Sequence, residues 1–255
     1  MTTESEKKIR KMLSLHKQGT VCVAPWLEKQ GISRDLQAYY RRSGWLQSFG
    51  TGAFIKPDDN VNWTGGLYAL QEQLKASIHA GAMTALSMQG MAHYIRMSGD
   101  RVFLFAPPKT KLPAWFKNHD WGEDINFTAS SMLPENVGLV VYEEKNYSVQ
   151  ISAPERAFLE CLYLAPEKLD LVECYQVMEG LTTLRPKLLQ SLLEQCGSIK
   201  VTRLFLYMAE KAGHDWYKRL DQSKFDLGKG SRTITQGGVY VSEFQIIVPE
   251  ELVKL

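Results

Sequence analysis

Between Gly31 and Pro57 the chain reads GISRDLQAYYRRSGWLQSFGTGAFIKP, and few folds accommodate that order of signals. Gly31 stops any helix before it. Ser33 can accept from the open N–H groups of a new first turn, so a second helix starts at once, on RDLQAYYRR, and ends at Gly44. WLQSF and AFIKP then read as strands, joined by GTG, which supplies the positive φ that a tight hairpin needs. Upstream, ESEKKIRKMLSLHKQ carries Ile9, Met12, Leu13 and His16 at helical spacing. VAPWLEKQ is a short helix with Pro25 in its first turn, where a missing N–H costs nothing. Three helices, the last two separated by a glycine turn, with a hairpin behind them, predict a winged helix-turn-helix. A three-helix packing module with a solvated basic face is the plainer reading of the same residues.

The turn grammar favours the first reading, and the charge distribution suits it. The formal net charge is only +2, yet Lys7, Lys8, Arg10, Lys11, Lys17, Lys29, Arg34, Arg41 and Arg42 are opposed between residues 7 and 42 by Glu28 and Asp35 alone. Such a segment faces a polyanion. On the last helix Leu36, Tyr39 or Tyr40, and Ser43 line one side, while Arg34, Gln37, Ala38, Arg41 and Arg42 face outward. Arg and Gln make bidentate bonds to base edges, and the later arginines meet phosphates. With Ser33 at the cap, Thr51 at the wing tip and Lys56 flanking it, these residues form the expected DNA-contacting set. A hairpin that only seals the small core has the same sequence.

Downstream, Leu67, Leu70 and Leu74, then Met83, Leu86 and Met88 after Gly81, predict packing helices. RVFLFAPP and NVGLVVYEEKNYSVQI predict strands, the latter a hairpin turning at EEKN. Ser152 and Glu155 have the spacing of a capping box before SAPERAFLECLYLA. LDLVECYQVMEGL, LRPKLLQSLLEQCG and SIKVTRLFLYMAEKAG are further helices, and RTITQGGVYVSEFQIIVP reads as a terminal hairpin around Gly237-Gly238. The expected fold class is α+β: a winged helix-turn-helix over residues 1–95, then a mixed α+β domain over 96–255, with the boundary near Met97–Asp100.

No pattern for catalysis stands out. DLGKGSR lacks the spacing of a phosphate loop, and neither HExxH, paired CxxC nor GxSxG occurs, so no catalytic residue, metal or cofactor is expected. His119-Asp120-Trp121 and His214-Asp215-Trp216 read as turns anchored by a buried Trp; His79 and His93 read as core residues. Cys22, Cys161, Cys174 and Cys196 read as reduced, buried thiols. No stretch approaches the roughly 20 apolar residues of a membrane helix. The start MTTESEKKIRK lacks the apolar block of a secretory signal, so the cytoplasm is the expected location.

The blocks GISRDLQAYYRRSGWLQSFGTGAF, WTGGLYALQEQL, IHAGAMTALSMQGMAHYI, FLFAPP, PAWFKNHDW, ISAPERAFLE, EGLTTLRPKLLQ, IKVTRLFLYMAEKAGH, DLGKGSR, QGGVY and FQIIVP occur in that order. Over nearly its whole length the chain resembles the AbiEi family of bacterial type IV antitoxins. The resemblance implies a winged helix that binds inverted repeats in the double-stranded DNA of its own promoter. It also implies a C-terminal domain that counters an AbiEii-like nucleotidyltransferase toxin, and no enzymatic activity. Ser33, Arg34, Arg42, Ser43, Gly44, Trp45 and GTGAF fall on the family's recognition helix and wing. Gln37 falls where such helices often carry an apolar residue, which would make Leu36 the inward one. Within the matched C-terminal blocks, Arg156, Arg185, Lys187 and Arg203 are candidates for antitoxin function. A ligand-sensing winged-helix regulator is the second reading, and a DNA-processing enzyme using His119 or His214 the third.

Overall fold

A computed structural model of the chain describes residues 3–91 and 101–255. The expected boundary at 95/96, the stretch Met97–Asp100 and His93 lie outside the described residues. In chain order the elements begin with α1 (Thr3–Leu15), β1 (Cys22–Val23), α2 (Ala24–Lys29), α3 (Arg34–Arg42), β2 (Gln47–Gly50) and β3 (Ala53–Ile55). There follow α4 (Trp63–Tyr68), which continues as a π-turn, β4 (His79–Ala80), α5 (Ala82–Met88), β5 (Arg101–Ala106), α6 (Ala114–Lys117), β6 (Asp124–Ala129), β7 (Leu139–Glu143) and β8 (Ser148–Ser152). The chain ends with α7 (Pro154–Leu164), α8 (Leu171–Gly180), α9 (Pro186–Glu194), α10 (Ile199–Ala212), two 3₁₀ turns, β9 (Arg232–Thr233), β10 (Val239–Val241), β11 (Ile246–Val248) and α11 (Glu250–Lys254). Among the described residues the strands form three sheets, ordered β1-β3-β2, β6-β5-β4-β8-β7 and β10-β11-β9. The class is α+β.

Two compact units interleave along the chain: Met1–His79 with Lys109–Ile125 and Val141–Gln150, and Ala80–Pro108 with Asn126–Val140 and Ile151–Leu255. In the first, Ile9 and Met12 of α1, Leu27 of α2, Ile32, Tyr40 of α3, Leu46 and Phe54 of β3 form one apolar cluster. The segment 109–125 closes over the hairpin. Phe49 packs edge-on or tilted among Trp115, His119 and Trp121, and a Cβ on Gly50 would stand 2.9 Å from that of Trp115. Trp121 donates its Nε1–H to the Phe116 carbonyl and Asp120 accepts from the Gly122 N–H, the turn-and-anchor arrangement expected of this tripeptide.

The second unit is organised around α7, which packs against α5, α8, α9 and α10. Two carboxylates of α7, Glu155 and Glu160, are buried, and each has a cation. The capping box does not form. Ala153 occupies the N-cap without a side-chain bond; Ser152 instead donates to Glu160 at 2.7 Å, and Glu155 holds Arg185. The Ser152 hydroxyl donates to a buried carboxylate instead of accepting from the helix end, and the Arg185 guanidinium, a stronger donor than a neutral N–H, takes Glu155. The C-terminal strands also differ from a simple hairpin. β10 and β11 pair antiparallel through a turn at residues 242–245, and β9 runs parallel to β11. The glycine pair precedes the hairpin because a Cβ on Gly238 would collide with the Val248 carbonyl: the glycine permits close strand approach rather than making the turn.

Candidate nucleic-acid interface

Ser33 caps α3 by accepting from the Leu36 N–H at 3.4 Å, and Gly31, at φ 88°, makes the turn from α2. Tyr40 settles into the core with no exposure, while Tyr39 remains 38% exposed. Arg34, Asp35, Arg41 and Arg42 are exposed, and Ala38 is half-buried between them. Ala38 adds only a methyl group to this face.

Gln37 corrects the sequence reading. It is only 2% exposed and points into the core, where its Nε2 donates to the Ala24 carbonyl at 3.1 Å and the Ile32 carbonyl at 2.9 Å. These carbonyls belong to the start of α2 and to the turn before α3, so one amide stitches the helix pair together. Leu36 is half-buried beside it. Gln37→Ala is expected to cost about 1–3 kcal/mol by leaving buried carbonyls unpaired. Thermal melting should show that loss, while the sequence preference of any bound DNA stays unchanged.

The cations differ in their surroundings. Arg34 pairs through Nε with Glu28 at 2.9 Å, both side chains being substantially exposed. An exposed pair of this kind holds its partners weakly, so a phosphate or a guanine edge can displace Glu28 at little cost. Among the described residues no carboxylate pairs with Arg41 or Arg42 at the end of α3. Trp45 follows them, 42% exposed. Sequence periodicity could not separate Tyr39 from Tyr40, and nothing in it marked Trp45 as exposed.

In the wing, the register shifts between Ser48 and Gly50, and Thr51 stands exposed at the tip with Gly52 at φ 73° behind it. Lys56 does not flank that tip. It lies four residues of mostly extended chain beyond Gly52, roughly 13 Å, at the far end of β3 and half-buried, where its charge acts on His16 and Cys22.

That neighbourhood holds a Cys–His–Asp line. Cys22 Sγ is 3.1 Å from His16 Nδ1, and His16 Nε2 is 3.2 Å from Asp59. The geometry is that of an activated thiol, but its electrostatics are the reverse. Burial pushes the Cys22 thiol up to about 12 and lowers the imidazole, with the nearby Lys56 adding to the second effect. A protonated thiol therefore donates to neutral Nδ1, and Nε2–H donates to Asp59. Asp59 also accepts from the Gly19 N–H, so the line fastens α1 to the segment after the wing.

Residues 5–97 match the family profile described as "Transcriptional regulator, AbiEi antitoxin N-terminal domain", and residues 99–249 match "Transcriptional regulator, AbiEi antitoxin, Type IV TA system". The chain belongs to the AbiEi antitoxin family. Its fold is similar to the crystal structure of the RV2827C protein from Mycobacterium tuberculosis, with a TM-score of 0.60 at 14% identity over 96% of this chain and 89% of that one. Among curated proteins nothing matches. The α1–β1–α2–α3–β2–β3 arrangement is thus the winged-helix regulator domain of an AbiEi antitoxin.

The antitoxin candidates from this AbiEi chain separate into two groups. Arg156 and Arg203 are buried and internally bonded. Arg156 donates to Glu160 at 2.9 Å and to the carbonyls of Pro134 and Val137. Arg203 donates to the carbonyls of Leu227, Gly230 and Gln245, and burial lowers its pKa. Neither is placed to meet a partner. Arg185 and Lys187, at the start of α9, are exposed. Glu155 grips Arg185 through both oxygens: its burial raises the carboxyl, but the Arg185 side-chain and backbone bonds outweigh that and leave it below the usual glutamate value. The second His-Asp-Trp tripeptide is an anchor, with His214 on the Met178 carbonyl and Trp216 on that of Leu181. All four cysteines are free and buried. Among the described residues no group of three or more His, Cys, Asp or Glu side chains is placed to hold a metal ion, and no helix is long and apolar enough to cross a membrane.

Proposed function

We propose that this AbiEi chain represses its own operon by seating α3 in the major groove of inverted repeats, and that it counters an AbiEii-like nucleotidyltransferase toxin. The observation that carries the reading is the exposed face of Arg34, Arg41 and Arg42 on a helix pinned from behind by Gln37 and Tyr40. Arg34, with Ala38 beside it, reads base edges; Arg41 and Arg42 meet phosphates; Ser33 orders the first turn and Thr51 touches the backbone from the wing. DNA binding belongs to residues 1–95 and antitoxin action to 96–255, in the cytoplasm. Of the C-terminal candidates, Arg185 and Lys187 have the exposure that contact with a partner requires.

The intact chain is the right reagent for testing both roles, because segment 109–125 packs on the wing. A mobility-shift titration on the operon's own promoter should give retention that a scrambled duplex of equal length does not compete away. Equal competition by the scrambled duplex would remove the repressor role. Co-expression with the neighbouring toxin gene should restore growth, and failure of the full chain to do so would remove the antitoxin role.

A further inference from the structure

A groove of about 870 Å³ runs along the start of α9 in the second unit. Leu184, Pro186 and Leu188 give it an apolar lining, and Arg185, Lys187, Arg219 and Lys224 surround it. Its two walls are fastened together. Gln190 on α9 donates to the Asp221 carbonyl at 3.1 Å and accepts from the Asp221 N–H at 2.9 Å, which fixes the loop carrying Arg219 and Lys224 against the helix. The Asp221 carboxylate is engaged within that loop, one oxygen by the Ser223 hydroxyl and N–H and the other by Lys224 at 3.7 Å, an exposed pair that a phosphate can displace. Glu155 engages Nε and Nη2 of Arg185, so this guanidinium is held in place rather than swinging free.

Four cations thus face Asp221 and the buried Glu155, a surplus of two positive charges around an apolar slot. The volume lies within the roughly 300–1,000 Å³ of small-molecule sites, which are likewise apolar with a few fixed polar groups. A monocarboxylate would leave the surplus unmatched, and a bare polyanion would leave the apolar lining unused. We propose that the groove binds a nucleoside polyphosphate, its base on Leu184, Pro186 and Leu188 and its phosphates between Lys187, Arg219 and Lys224. This goes beyond the repressor and antitoxin reading and stands without it.

Isothermal titration of the full chain with ATP tests the proposal. One-to-one saturable binding is expected, weakened at least about tenfold in Lys187→Ala/Arg219→Ala, since each substitution removes a charge-assisted bond to a phosphate. Inorganic tripolyphosphate should bind about tenfold more weakly than ATP, because it leaves the apolar lining unburied. The double variant should melt with the wild type; if it does not, Lys187→Gln alone carries the comparison. Absence of saturable binding, undiminished binding in the variant, or tripolyphosphate matching ATP would each overturn the proposal. Arg41→Ala/Arg42→Ala should bind ATP as the wild type does, and a loss there would overturn it by moving the site to the winged helix. Promoter retention is measured separately, so failure of the groove and failure of the repressor reading are distinguishable.

Discussion

Replacing Arg41 and Arg42 together by alanine is expected to lower promoter affinity about ten- to a hundredfold at physiological salt, and to reduce the dependence of log K on log salt by about two. Both side chains are exposed at the end of α3, and among the described residues neither is paired with a carboxylate, so their guanidinium groups are available to phosphates at no internal cost. Phosphate contacts position a protein without reading sequence. The loss should therefore be similar on the promoter and on unrelated DNA, leaving the ratio between them nearly constant. The fold should be indifferent, because exposed substitutions of this kind change stability by only about 0.5 kcal/mol. A titration at several salt concentrations, with thermal melts of both proteins, measures all three quantities. An unchanged salt slope would place the phosphates elsewhere and remove α3 as the recognition helix.

The winged helix was legible because its signals are local. Ser33 and Gly44 lie at the two ends of α3, and GTG makes the hairpin turn, each acting on backbone within a few residues of itself. What misled was burial, which depends on how elements pack rather than on the pattern along any one of them. Gln37 reads as an outward polar residue until the carbonyls of Ala24 and Ile32 are seen converging on it. Tyr39 and Tyr40 are chemically alike, and only the packing of Tyr40 against the core separates them. The misread capping box has the same origin: the acceptor that takes Ser152 is Glu160, and that carboxylate also takes the N–H of Ala82, 78 residues away. Nor does a linear pattern reveal that residues 109–125 belong with the N-terminal helices, since Trp115 and Trp121 meet Phe49 only through the fold.

Arg156→Ala should cost about 3–5 kcal/mol of stability, the range for removing one partner of a buried ion pair. The Glu160 side chain it neutralises is 1% exposed, and its Oε2 is committed to the Ala82 N–H and the Ser152 hydroxyl. Without the guanidinium that carboxylate is left buried and charged, and the carbonyls of Pro134 and Val137 lose their donor as well. The backbone packs directly on it, so that a Cβ on Gly81 would collide with the same carboxylate. Adding Glu160→Gln to Arg156→Ala removes the stranded charge while keeping an acceptor for Ala82 and Ser152, so the double variant should be more stable than the single one. Denaturant titrations of the three proteins measure this order. It bears directly on function: a chain carrying Arg156→Ala that fails to restore growth would have failed by unfolding, and partial recovery in the double variant would identify the fault as structural. If instead Arg156→Ala melted with the wild type and still lost rescue, Arg156 would be a contact residue, and the interior network described for α7 would not be what holds it in place.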